Sequence, residues 1–132
     1  MKRFSLSSHE RIKKRKDFEL IFSTGRFVYS SGKVLRAHYL IEKDVKKSGV
    51  KIAPVVGKKL GNAVWRNKVK RLIKESYRLN KEILTEVSLR KGVLLKIIFS
   101  PNMLSEKKNK ILSYNEIMPH VFDIMTKIAS RL

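Results

Sequence analysis

Nine lysines and arginines and a single acid, Glu75, stand between residues 58 and 81. Cations at that density, almost without acidic partners at i+4, repel one another and gain nothing from local pairing. They suit an external polyanion instead. Trp65, Val69, Leu72, Ser76 and Leu79 fall on one helical stripe, with Ile73 and Ile83 flanking it. That stripe leaves Arg66, Lys70, Lys74, Arg78 and Lys81 on the other side. Lys58 and Lys59 sit in the turn before the helix, where helix N-terminal amides favour phosphate. The expected product is a positive stripe spaced for a nucleic-acid backbone.

A second constellation lies upstream. Phe18 and Phe22 are i, i+4 and share a helix face. Arg36 and His38 project from the polar side of an alternating segment. Aromatic rings beside cations can hold a single strand through stacking and phosphate contact. The pattern alone leaves open the reading that both phenylalanines are core. His9, His38 and His120 have no obvious partners for metal or triad work. Cysteine is absent, and Asp17, Asp44, Asp123 and eight glutamates are scattered. No catalytic constellation can be assembled from these residues, and a protein-bound metal site stays undetermined.

These groups need elements to position them. The chain has 132 residues, a formal net charge of +20 and 42% hydrophobic residues. That fits one domain, residues 1–132, with a real core. Residues 1–13 read as a basic, extended arm. Phe18, Ile21 and Phe22 predict a helix over 14–24, capped by Gly25. Residues 33–42 alternate as a strand, with Leu35, Ala37, Tyr39 and Ile41 on its apolar face. Residues 43–49 read as a hairpin loop into a second strand over 50–57, where Pro54 points to an edge or bulge. The long basic helix follows, and 82–91 continue it or form a second short helix. Val93 to Phe99 reads as a buried central strand. Residues 105–110 are a charged loop, and 114–131 a last helix starting or kinking near Pro119. The order α-β-β-α-β-α predicts an α+β sandwich, a small mixed sheet packed by three helices. No run reaches ~18 apolar residues, so no membrane span is expected. No signal peptide is legible, and a cytoplasmic location is expected.

The string from Gly57 to Arg71, GKKLGNAVWRNKVKR, is more specific than its charge. It resembles the RNR signature of the bacterial ribonuclease P protein subunit, with Gly57 in place of the usual serine and Lys68 in place of the second motif arginine. Asp17, Phe18, Ile21, Phe22 and Gly25 resemble the same family's D-F-x-x-[VI]-F-x-x-G segment. Lysine at position 68 keeps the charge but loses the planar fork of arginine.

The resemblance implies a subunit that works with a large catalytic RNA to remove the 5′ leader of precursor tRNA. The RNA and its Mg²⁺ ions would perform the hydrolysis, with no metal held tightly by the protein. It implies that Lys58, Lys59, Asn62, Arg66, Asn67, Lys68, Lys70, Arg71 and Lys74 face the ribonuclease P RNA. It implies that Phe18, Phe22, Arg36 and His38 line a cleft for the single-stranded leader. The family often has tyrosine near the position of Arg36, so a cationic contact would replace stacking there. A left-handed β-α-β crossover is also implied, against the general right-handed rule. No protein oligomer is required. The alternatives weighed are a small basic structural RNA-binding protein of ribosomal type and a helix-turn-helix DNA binder. The latter lacks a helix just before the basic one.

Overall fold

The computed structural model describes Leu6 and residues 8–132. Its helices are α1 (Arg15–Thr24), α2 (Ala63–Asn80), α3 (Glu82–Lys91) and α4 (Tyr114–Ala129), and its strands β1 (Arg26–Tyr29), β2 (Leu35–Glu42), β3 (Gly49–Pro54) and β4 (Leu94–Pro101). The strands form one mixed sheet in the order β1-β2-β4-β3. β2 runs antiparallel to β1 and β4, and β3 runs parallel to β4.

The α+β class and the buried central strand are as the sequence predicts. β4 is paired on both sides and buried almost throughout. Pro54 sits on an edge strand, where its missing amide proton costs least. Residues 43–49 are not a hairpin loop. β2 and β3 each pair with β4, so that segment passes the end of β4 instead of reversing onto a neighbour. The chain returns from β3 to β4 through α2 and α3, which makes the β-α-β crossover. The count of elements also differs from the expected three strands and three helices. The additional strand is β1, and of the two readings of 82–91 the structure has the second, a separate helix beginning after Lys81.

The sheet has two unlike faces. Leu35, Ala37, Tyr39, Val50, Ile52, Leu95, Ile97 and Phe99 point to the main core, under α2, α3 and α4. That core takes Trp65, Val69, Leu72, Ile73 and Tyr77 from α2 and Ile117, Val121, Ile124, Met125 and Ile128 from α4. On the other face α1 covers a smaller core of Ile12, Ile21, Ala53 and Ile98, with Phe18, Leu40 and Val55 packed against it. Leu79, placed by periodicity on the apolar stripe, is 56% exposed, while Tyr77 and Arg78 are buried.

Of the expected arm, residues 1–5 and 7 lie outside the described residues. Of the rest, Leu6 and Ile12 are buried. Arg11 bridges to Ile52, and the Ile12 amide donates to the Ile52 carbonyl at 3.0 Å. Glu10 accepts from Lys81 Nζ at 3.1 Å, which ties the segment to the end of α2. Lys81 is therefore part of an internal ion pair, and Arg78 is covered, so neither extends the open stripe.

α4 starts at Tyr114, five residues before Pro119, and runs past it. The Ser113 amide donates to Glu116 Oε1 at 3.1 Å and satisfies one orphan donor at that start.

Candidate nucleic-acid interface

α2 presents its cations as an arc. At 100° per residue, Arg66, Asn67, Lys70, Arg71 and Lys74 fall within roughly 140°, and Lys68 lies about 60° beyond. Asn67 and Arg71 are exposed, and Arg66, Lys68, Lys70 and Lys74 are half-buried. Among the described residues no acid lies within ion-pair distance of any of them. The crowding is felt at Lys74, whose ammonium is driven below the usual lysine range by burial first, then by Arg11, Lys70 and Arg78. Phosphate bound there would relieve that repulsion.

The turn before α2 holds Lys58 and Lys59, both exposed, in a 3-10 turn over Lys58–Leu60. The helix start is not an empty phosphate cradle. Asn62 Oδ1 accepts from the Trp65 amide at 2.9 Å, which makes Asn62 the N-cap. The Asn62 amide donates to Glu106 Oε1 at 2.8 Å, and its Nδ2 donates to Glu106 Oε2 at 3.1 Å. The polar atoms of the exposed Asn62 side chain are thus committed to partners within the chain. Arg66 Nε donates to the Gly61 carbonyl at 3.1 Å, which fixes the stem of its guanidinium and leaves the Nη atoms for an outside partner.

The second constellation lies on the opposite face of the sheet. Phe22 is 47% exposed and meets His38 edge-on, with ring centroids 4.9 Å apart. Phe18 is different: it is half-buried against the smaller core and offers only part of its ring. A shallow groove of about 760 Å³ runs along α1 past Lys13, Arg15, Phe18 and Phe22. Arg36 and His38 do not line that groove. They stand on the sheet beyond it, joined to it through the Phe22–His38 contact.

Two aromatics that the sequence reading passed over complete this surface. Phe27 is opposite His38 in the β1–β2 register, and Tyr29 is opposite Arg36. Phe27 is 56% exposed and lies 6.1 Å from His38 and 5.5 Å from Tyr29. Lys33 Nζ sits 5.3 Å above the Tyr29 ring. Phe22, His38, Phe27 and Tyr29 therefore form a row of rings with Arg36 and Lys33 beside it. Arg36 Nε and His38 Nδ1 are buried without a hydrogen-bond partner among the described residues. Such atoms are uncommon in folded proteins. Burial, and then the Arg36 charge, hold His38 below its ordinary pKa and disfavour its cationic form.

Two devices position the row. α4 grips the β1–β2 turn: Lys127 Nζ donates to the Tyr29 carbonyl at 3.0 Å, and Asp123 accepts from the Ser31 amide at 2.8 Å. Burial alone would raise the Asp123 pKa, but Lys127 and Ser31 outweigh it and hold the carboxyl below the usual range. α1 is tied to the sheet by Lys96 of β4, whose Nζ lies 3.1 Å from both Asp17 and Glu42. Burial would lower the Lys96 pKa, but its two carboxylate partners raise it above the usual lysine value.

Lys96→Met is expected to destabilise the protein by about 2–4 kcal/mol, because it leaves two neighbouring carboxylates facing each other without their cation. A lysine with a raised folded pKa stabilises fully below its ordinary pKa of ~10.4 and loses that contribution as pH rises through the folded value. Urea unfolding should therefore show the gap between the two proteins at pH 7 and a narrowing only in strong alkali. Equal stabilities at pH 7 would remove the role given to this triad.

The molecule is thus a small basic α+β protein of the RNA-binding class, with a cationic helix on one side of its sheet and an aromatic row on the other. The ribonuclease P family model matches residues 6–119, and the chain belongs to that family. A curated relative, the ribonuclease P protein component of Geotalea uraniireducens, is 39% identical over 82 residues, which cover 61% of this chain and 67% of that one. The chain spans 60–67% of the length of this and two further curated relatives that it matches. The solved Staphylococcus aureus RNase P protein is 27% identical, with a TM-score of 0.67 over 91% of this chain and 94% of that chain. The Thermotoga maritima RNase P protein, 21% identical, shares the fold with a TM-score of 0.71 over 89% of this chain and 96% of that chain.

Proposed function

We propose that this protein is the protein subunit of a ribonucleoprotein ribonuclease P. In this reading the α2 arc, with Lys58 and Lys59, docks on the catalytic RNA. The ring row formed by Phe22, His38, Phe27 and Tyr29, flanked by Phe18, Arg36 and Lys33, holds the single-stranded 5′ leader of precursor tRNA. The observation that carries the proposal is the separation of these two surfaces by the sheet in a chain of this family. A protein that grips a folded RNA with one face and a single strand with the other can hold a leader against a catalytic RNA.

The two surfaces ask for different ligands. The arc offers guanidinium and ammonium groups to a phosphate backbone and carries no base readout, so it suits a structured RNA. The row offers exposed ring faces with the Arg36 and Lys33 cations beside them, which suits unstacked bases of tolerant sequence. Hydrolysis is assigned to the RNA, with Mg²⁺ held there. The protein contributes binding and orientation, which raise the local concentration of the scissile bond at the RNA site. Among the described residues no group of three or more His, Asp or Glu side chains is arranged to hold a metal ion. No helix among them is long and apolar enough to cross a membrane.

The direct test is cleavage of precursor tRNA by a bacterial ribonuclease P RNA at low Mg²⁺. Added protein should speed release of the mature 5′ end, and protein without RNA should leave the substrate intact. Protein that failed to stimulate the RNA at any Mg²⁺ concentration would overturn the subunit assignment. Cleavage that persisted after all RNA was removed would overturn the assignment of chemistry to RNA.

A further inference from the structure

The loop between β4 and α4 carries Lys107, Lys108 and Lys110, all exposed and without an acidic partner among the described residues. This loop is built, not slack. Leu104 and Leu112 anchor its ends in the main core. The Asn109 amide donates to the Ser105 carbonyl at 2.7 Å and closes the turn. The Glu106 amide donates to the Leu60 carbonyl at 2.7 Å, and Trp65 Nε1 donates to the Asn109 carbonyl at 2.8 Å. With the two bonds from Asn62 to the Glu106 carboxylate, the loop is fastened to the start of α2 at four points.

An acid inside a lysine-rich loop works against binding a polyanion unless it has another task. Both Glu106 oxygens are taken by Asn62, at the positive end of α2. Its charge is spent on placing the loop. Gly61 shows how closely the parts meet: a Cβ there would lie 2.7 Å from the Trp65 ring and 2.9 Å from Glu106 Cβ. Lys58 and Lys59 precede Leu60 on the other side of this joint, so five lysines flank it.

We infer that the β4–α4 loop is a second phosphate-contacting surface, in which Lys107, Lys108 and Lys110, held against α2 by Glu106, grip the backbone of the RNA that α2 binds. The inference rests on the RNA-subunit reading above and adds a contact outside α2 and its preceding turn. Glu106 acts as a positioning residue.

The test is affinity for a bacterial ribonuclease P RNA over a salt series at fixed Mg²⁺, using the full chain. Each lost phosphate contact lowers the slope of log affinity against log salt by roughly 0.7–0.9. A Lys107→Ala, Lys108→Ala, Lys110→Ala triple variant should lower it by about 2 and weaken binding at least about tenfold near physiological salt. The control removes the same charge from the distant 43–49 segment, through Lys43→Ala, Lys46→Ala and Lys47→Ala. Equal losses in the two triples would mean a diffuse field and overturn the inference. Failure of the wild-type chain to bind the RNA would instead overturn the subunit reading.

Glu106→Ala separates position from charge. It raises the net charge from +20 to +21, so charge alone predicts tighter binding, whereas a displaced loop predicts weaker binding. Trp65 is the sole tryptophan, and its emission reports whether the loop is seated on its indole N–H. Weaker binding with shifted emission supports the positioning role, and tighter binding overturns it. If Glu106→Ala fails to fold, the lysine triples decide.

Discussion

Arg66→Ala, Lys70→Ala and Arg71→Ala together should weaken assembly with the catalytic RNA by roughly 100-fold near physiological salt, while Phe22→Ala and Phe27→Ala leave assembly nearly unchanged. Each of the three cations has no internal acidic partner, so its removal takes away an outside contact without exposing a buried charge. Charge-assisted bonds contribute about 1.5–3 kcal/mol each, and screening at the surface reduces the sum. The ring variants should act elsewhere. Base stacking contributes ~1–3 kcal/mol per base, so each should cut the preference of the holoenzyme for precursor over mature tRNA by about 5- to 150-fold. Phe22 and Phe27 are the informative positions because both are substantially exposed. Phe18→Ala is a poor probe: its ring also packs against the smaller core of Ile12, Ile21, Ala53 and Ile98, and truncation there loses folding stability as well. The measurements are RNA affinity, affinity of the assembled enzyme for both tRNA forms, and a thermal melt for every variant. Loss of precursor preference in the α2 variants alone would leave the ring row without a role.

How much of this was legible in the residues depends on what each signal needed. The basic arc and the paired phenylalanines could be read because both are local, spaced by a helical repeat. The alternation in β2 was equally plain: Leu35, Ala37 and Tyr39 are fully buried, and Arg36 and His38 face the other way. β1 was not legible, because Arg26–Tyr29 has only four residues at a sheet edge and one buried side chain, Val28. With it went Phe27 and Tyr29, which join the site only through the register that sets them opposite His38 and Arg36. The hairpin reading of 43–49 failed for a related reason. Two strands in succession usually pair, and nothing local shows that β4, forty residues later, inserts between them. The arm reads as polar because the two residues that the fold buries there, Leu6 and Ile12, stand isolated among polar ones. Their burial is a tertiary fact: Ile12 joins Ile21, Ala53 and Ile98 in the smaller core, and Leu6 joins the main one. Asn62 and Glu106 show the same limit at the site itself. Cap and carboxylate are 44 residues apart, and only the fold reveals that the helix start is already occupied.

Gly25→Ala should be among the most damaging single changes in the molecule, and Gly57→Ala among the mildest, although both glycines border a candidate surface. A Cβ at position 25 would lie 2.5 Å from the Ile21 carbonyl oxygen and 2.6 Å from that of Tyr39. Both neighbours are backbone, so no side chain can swing aside, and α1 must shift against β2. Overpacking of this kind costs about 1–3 kcal/mol and sometimes more. The shift would also move Phe22 away from His38, which it meets at 4.9 Å. Gly25→Ala should therefore lose stability and precursor preference together, with affinity for the catalytic RNA retained in the fraction that folds. Position 57 is open: nothing lies within 4 Å of a Cβ there, and its φ of −65° suits any residue. Gly57→Ala, or Gly57→Ser with the residue usual in the motif, should be neutral or stabilise by about 0.4–1 kcal/mol through a less flexible unfolded chain. Urea unfolding of the three variants beside the wild type gives the comparison. Similar costs at positions 25 and 57 would contradict the close approach of α1 to β2, and with it the placement of the ring row.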